Sequence, residues 1–279
     1  MRLSSLLALL VCITPALHAQ QEGCSETRQV GGYTVELRGV TEKDSGGFEN
    51  HQCRARVTAR DRSLLLEEAA TYLHLLDVSG KDITGDGSPD LVLQRAWGDS
   101  LCSFDYVILS LGDPPQVLLR LGGQCAYDFS EADGDGRIAI QTADSAFTSF
   151  DQLFHYESPL PPVYLRLQGA VLHDVSAEFW PRYEKEIEAA RLELTPDRRR
   201  ALREAQSPYE STETRAAVSH ALFVVLAYLN GGRDDDAWKA LEELWPPGDF
   251  QRIRALIIQT RASGVLRCLG VRQCVNNEE

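Results

Sequence analysis

The chain has 279 residues, with 28 Lys and Arg against 41 Asp and Glu, and a formal net charge of −13. Such an acidic chain does not track a phosphate backbone, and no basic stripe interleaved with aromatics occurs, which argues against nucleic-acid binding. Beyond the amino terminus no apolar run approaches the length of a membrane helix; Ala221–Ala227 is apolar but short and reads as a buried core helix.

Residues 1–19 carry Arg2, a nearly unbroken apolar run from Leu3 to Ile13, then Pro15 and Ala16–Ala19. That order is the order of a secretory signal peptide, with cleavage expected after Ala19 and a periplasmic or extracellular destination. Cysteines 24, 53, 102, 125, 268 and 274 would remain. An even count in an exported chain implies disulfides, and proximity suggests Cys24–Cys53, Cys102–Cys125 and Cys268–Cys274 among the possible pairings. A zinc site would need a C-x-x-C or H-x-x-x-H spacing, and neither is present.

Alternating apolar residues (Val30, Tyr33, Val35, Leu37) predict a strand from Gln29 to Val40. Gln52–Ala59 alternates again, and Asp61-Arg62 could close a hairpin onto Ser63–Leu66, while Glu67–Leu76 stays ambiguous between helix and strand. Then comes the stretch with the most chemistry, Asp82-Ile83-Thr84-Gly85-Asp86-Gly87-Ser88-Pro89-Asp90. Oxygen-bearing side chains recur at every second residue (Asp82, Thr84, Asp86, Ser88, Asp90), and glycine stands at the sixth position. A tight loop with this pattern turns alternate oxygens inward, as a hard cation such as Ca²⁺ requires, and the glycine permits the sharp turn. Leu93 stands where an EF-hand has its bidentate glutamate, so the expectation is a loop leading into a strand.

Further strands are predicted at Leu91–Ala96, Phe104–Leu111, Val117–Leu121, Ile138–Gln141, Gln152–Tyr156 and Val163–Leu167. A second loop, Glu131-Ala132-Asp133-Gly134-Asp135-Gly136, keeps oxygens at its first, third and fifth positions but has Ala139 at the ninth, so weaker cation binding is expected there. Near Asp174 the hydrophobic period changes from 2 to 3.6. Phe179, Tyr183, Ile187, Ala190 and Leu194 share one helical face, and Thr195-Pro196-Asp197 starts another helix. Thr212–Asn230, Ala237–Trp245 after the triplet Asp234-Asp235-Asp236, and a segment from Asp249 to about Ser263 complete the helical part. The triplet reads as acids complementing a helix dipole. The fold expected is α+β: after the signal segment, an antiparallel β-rich domain over 20–170, then a helical domain over 171–279.

The loop DITGDGSPDLVL resembles the calcium loop of FG-GAP/VCBS-type repeats, the blade units of integrin-like propellers. Residues 75–168 are also similar to a group of uncharacterised bacterial exported proteins, through Asp82–Asp90, Cys102, Asp133–Gly136 and Ser158-Pro159-Leu160-Pro161-Pro162-Val163. A cysteine pair frequent in that group is the single Cys102 here. The resemblance implies propeller-blade-like calcium loops with Asp82, Thr84, Asp86, Ser88 and Asp90 as ligands of a structural Ca²⁺, and a lesser site at Glu131, Asp133 and Asp135. It carries no known activity. Tyr228, Gly232, Ala237 and Leu241 are spaced like the middle of a tetratricopeptide unit, although an ordinary helical hairpin has the same small residues.

No G-x-S-x-G, H-E-x-x-H, Walker loop or dinucleotide glycine fingerprint occurs, and His51, His74, His155, His173 and His220 are isolated from one another. No catalytic residue is nominated. Two readings stand: an exported, non-enzymatic, calcium-stabilised protein contacting a protein or other component of the bacterial envelope, or an exported hydrolase whose site is assembled from dispersed residues.

Overall fold

The computed structural model describes residues 24–43, 47, 49–96, 102–131, 136–205, 207–270 and 273–274, with the side chains of 123, 124, 273 and 274 excepted. The chain divides into two compact units between His74 and Leu75. In the first unit β1 (Ser25–Val30), β2 (Tyr33–Lys43), β3 (Glu49–Thr58) and β4 (Leu64–Ala70) form an antiparallel meander in that order. The single strand expected across Gln29–Val40 is instead a hairpin, because Gly31 takes a φ of 60° and turns the chain so that Val30 pairs with Tyr33. Val35, Leu37, Ala55, Val57, Leu66 and Ala70 are buried at two-residue spacing, as one apolar sheet face requires. The disulfide Cys24–Cys53 fastens the start of the meander to its third strand.

The ambiguous stretch after Glu67 is extended: β4 runs on to Ala70, and β5 (Tyr72–Leu75) follows. β6 (Asp90–Ala96), β7 (Phe104–Ser110), β8 (Gln116–Gln124) and β13 (Gln273–Cys274) join it in a sheet of order β13-β8-β7-β6-β5. Here the expectation of purely antiparallel pairing fails, since β13 returns from the chain's far end to run parallel to β8. A third, antiparallel sheet has the order β12-β11-β10-β9, from β9 (Asp128–Ser130), β10 (Ala139–Ala143), β11 (Pro162–Gln168) and β12 (Val171–Asp174). Cys102–Cys125 forms a second disulfide, and Cys268 is disulfide-bonded as well. The side chain of Cys274, its expected partner, lies outside the described residues.

Five helices follow: α1 (Trp180–Glu193), α2 (Pro196–Glu204), α3 (Thr212–Asn230), α4 (Asp234–Leu244) and α5 (Phe250–Ser263). The molecule is therefore α+β, and among the described residues no closed propeller forms. The helix starts follow their capping chemistry. Thr195 Oγ1 accepts the Arg198 N–H ahead of Pro196, Ser211 Oγ accepts the Thr214 N–H, and three aspartates open α4. α3 is buried on nearly every side and is the spindle of the helical layer. No helix among the described residues is long and apolar enough to cross a membrane.

The period change near Asp174 falls inside the second unit rather than between units. Ala139 and Tyr164 of the third sheet share one core with the five helices, together with Phe147, Phe150 and Leu153. Val92, Tyr106, Ile108 and Leu119 share another with Ile140, Val163 and Leu165 across the two sheets. A further difference lies at Gln152–Tyr156, expected as a strand. The segment is a turn ending in a 3-10 turn at His155–Glu157, because Ser149 and Asp151 take φ of 53° and 55° and the Glu157 carboxylate draws in the Phe154 N–H.

Candidate functional site

The loop from Asp82 to Asp90 closes on itself through the backbone. Gly80 N–H donates to Asp90 O and Asp90 N–H to Lys81 O, each at 2.8 Å, so the two ends of the loop are tied before β6 begins. Gly85 and Gly87 take φ of 75° and 85°, which side chains with a Cβ rarely tolerate. Those turns aim successive N–H groups at Asp82. Its Oδ1 accepts from Gly85 N at 2.7 Å and Asp86 N at 3.1 Å, and its Oδ2 accepts from Gly87 N at 2.8 Å. The Thr84 hydroxyl also donates to Asp82 Oδ1, at 3.3 Å.

Asp86 Oδ1 accepts the Ser88 N–H at 2.7 Å, and its Oδ2 lies 3.5 Å from the Ser110 hydroxyl. Ser110 ends β7 and is the cross-strand partner of Asp90. It is an oxygen that the loop's own spacing could not reveal, since only the β6–β7 register brings it there. Asp90 is fully buried. Its Oδ2 accepts the N–H groups of Ile83 at 2.7 Å and Thr84 at 3.0 Å. Its Oδ1, equally hidden from solvent, has no hydrogen-bond partner. Burial pushes the Asp90 carboxyl up to about 6, the charge of Asp86 adds to the rise, and the two amide donors oppose it.

All five nominated oxygen donors, Asp82, Thr84, Asp86, Ser88 and Asp90, are thus brought into one loop. Most of the carboxylate oxygens are turned to the loop's own amides, and among the described residues no group of three or more His, Cys, Asp or Glu is arranged to hold a metal. A buried carboxylate oxygen without a donor is the feature that suits a hard cation, and the donor set is all oxygen.

In the second loop, Asp133 and Asp135 lie outside the described residues. Glu131 forms an ion pair with Lys81 at 3.7 Å. The two loops nevertheless face one cleft of about 790 Å³, which Asp82, Thr84, Glu131, Arg137 and Arg166 help to line. Of the isolated histidines, His51 meets the Thr41 hydroxyl at 3.0 Å and His220 Nδ1 meets the Ala216 carbonyl at 2.7 Å. Comparison with protein-family models, curated proteins and solved structures finds no match to this chain.

Proposed function

We propose that the chain is an exported, non-enzymatic binding protein of the bacterial cell envelope, stabilised by Ca²⁺ in propeller-blade-like loops. The observation that carries the cation is Asp90 Oδ1, a fully buried carboxylate oxygen with no donor, in a loop with two further aspartates. Leaving a charged acceptor unmatched costs the fold its desolvation, and a divalent cation offsets that cost while neutralising the repulsion among Asp82, Asp86 and Asp90. Thr84 and Ser88 would add neutral oxygens, and Glu131, Asp133 and Asp135 would form the lesser site. The disulfides and the signal-like amino terminus support export. The likeness of the loop to FG-GAP/VCBS repeats supports a structural rather than a catalytic ion, serving recognition of a protein or other envelope component.

The test is thermal unfolding in chelator and in millimolar Ca²⁺. An affinity of about 10⁻⁴ to 10⁻³ M is expected for an extracellular module with two neutral donors. At ten times Kd, Ca²⁺ would stabilise the fold by about 1.4 kcal/mol. Asp86→Ala should abolish the rise in Tm. An equal rise in wild type and variant, or none in either, would reduce the loop to a self-capped turn.

A further inference from the structure

Most carboxylate oxygens of the Asp82–Asp90 loop are taken by its own backbone amides: both of Asp82, Oδ1 of Asp86 and Oδ2 of Asp90. Asp86 Oδ2 and Asp90 Oδ1 are left over. The neighbour of Asp86 Oδ2 is the Ser110 hydroxyl, at 3.5 Å, which is too long for a strong hydrogen bond. Asp90 Oδ1 has no hydrogen-bond partner although the residue is fully buried.

The sheet brings Asp90 to the same serine. The Asp90 N–H goes to the Lys81 carbonyl and its own carbonyl accepts the Gly80 N–H, so neither faces β7. Instead the Leu111 N–H donates to the Pro89 carbonyl at 2.9 Å, one residue to either side of the Asp90–Ser110 pair. That pattern marks a non-hydrogen-bonded antiparallel pair, in which the Cα atoms approach to about 4.5 Å and the two side chains stand close together on one face. Ser110 is buried, like Asp90. Gly112 keeps the adjoining space open. A Cβ there would stand 2.9 Å from Ser88 Oγ and 3.4 Å from Ser110 Oγ, so both hydroxyls converge on the place that the missing side chain leaves. The Gly112 φ is not in the left-handed region, so space rather than conformation calls for glycine. The Gly112 N–H donates to Ser110 Oγ at 3.3 Å, which leaves that oxygen a second lone pair.

From this geometry we propose that Ser110 is a cation ligand supplied by β7 from outside the loop, acting with Asp86 Oδ2, Asp90 Oδ1 and the Ser88 hydroxyl. The set is all oxygen, two carboxylates and two hydroxyls, as a hard divalent cation such as Ca²⁺ accepts, and water completes the shell beside the exposed Asp86. Asp82, with both oxygens engaged by the loop, shapes the site. An ion held in this way fastens the loop to the β6–β7 hairpin, so its binding energy stabilises the sheet as well as the loop. The spacing of acids along the chain cannot reveal such a ligand, because the β6–β7 register alone places it.

The assignment rests on the cation reading proposed above, and the experiment separates the two. Ca²⁺ is titrated calorimetrically into the whole, chelator-treated protein as wild type, Ser110→Ala and Ser110→Asp, and each is melted in chelator and in millimolar Ca²⁺. Binding that survives Asp86→Ala is counted as belonging elsewhere. Ser110→Ala should bind about tenfold more weakly than the wild type. Ser110→Asp sets a third carboxylate beside Asp86 and Asp90, so its Tm should fall below that of the wild type in chelator and rise by more than the wild type's on adding Ca²⁺. A serine that only packs would give a deficit of the same size in both conditions. Equal Ca²⁺ affinity in wild type and Ser110→Ala, or a Ser110→Asp deficit that Ca²⁺ does not relieve, would overturn the role of Ser110 and leave the cation to the loop alone. Absence of Ca²⁺ binding by the wild type would overturn both.

Discussion

Asp144 shows how one side chain can fasten distant parts of this chain. Its buried carboxylate accepts the Ala146 N–H at 3.1 Å and the Val265 N–H at 3.0 Å, so it caps a 3-10 turn after β10 and also the turn that follows α5. Gly264 is required beside it, since any Cβ there would collide with both carboxylate oxygens. Gly264→Ala should therefore destabilise by about 3 kcal/mol, combining overpacking with the loss of charge-assisted bonds, as a shift in the urea midpoint. Gly87→Ala makes the contrast: nothing lies within 4 Å of the added carbon, and only its φ of 85° is unfavourable, so about 1 kcal/mol is expected. The aspartates of the Asp82–Asp90 loop were legible from spacing because their bonds within the loop reach neighbours two to seven residues away. Asp144 and Ser110 were not, because Asp144 acts across 121 residues and Ser110 across a strand pairing.

At the scale of elements, the reading succeeded wherever hydrophobic period and caps agreed. α1 to α5 all start at or close to their expected residues, and β6, β7 and β11 coincide with apolar runs. It failed at 152–156, where Leu153 is buried but Phe154, His155 and Tyr156 all face solvent, so no two-residue alternation exists in space. The cause is the Glu157–Arg215 pair, invisible to local pattern because its members are 58 residues apart. The hydrogen bonds from Arg215 hold the Glu157 carboxyl below its ordinary value of 4.5. A lowered folded-state value means that this stabilisation is complete above the unfolded value and is lost as the pH falls through the folded one. Glu157→Gln should accordingly cost about 2 kcal/mol at pH 7. The stability gap between variant and wild type should narrow steadily as the pH drops below 4.5. A gap constant down to pH 3 would mean that the pair contributes packing alone.

At the scale of the whole molecule, the hydrophobic period sets the expected boundary between 170 and 171, while compactness divides the chain between His74 and Leu75. β11 is joined to the helices by several independent interactions. Tyr183 Oη donates to the Pro162 carbonyl at 2.7 Å, Asn230 Nδ2 donates to the same oxygen at 3.1 Å, and Arg166 pairs with Glu178 at 2.9 Å. The Tyr164 ring stacks on Phe179 with centroids 4.1 Å apart. A helical fragment begun at residue 171 would expose these surfaces and leave the helix core without Ala139, Phe147 and Tyr164. A fragment of residues 72–279 keeps β5 entire, both core clusters of the second unit and the Cys102–Cys125 bridge, which constrains its unfolded chain by about 3 kcal/mol. The other described bridge, Cys24–Cys53, lies wholly before that cut. The 72–279 fragment should therefore unfold in a single cooperative transition, whereas 171–279 should show helical circular dichroism without a cooperative melt. Cooperative unfolding of 171–279 alone would place the boundary at the change of period after all, and would make the contacts at Pro162 and Tyr164 incidental to the stability of the helices.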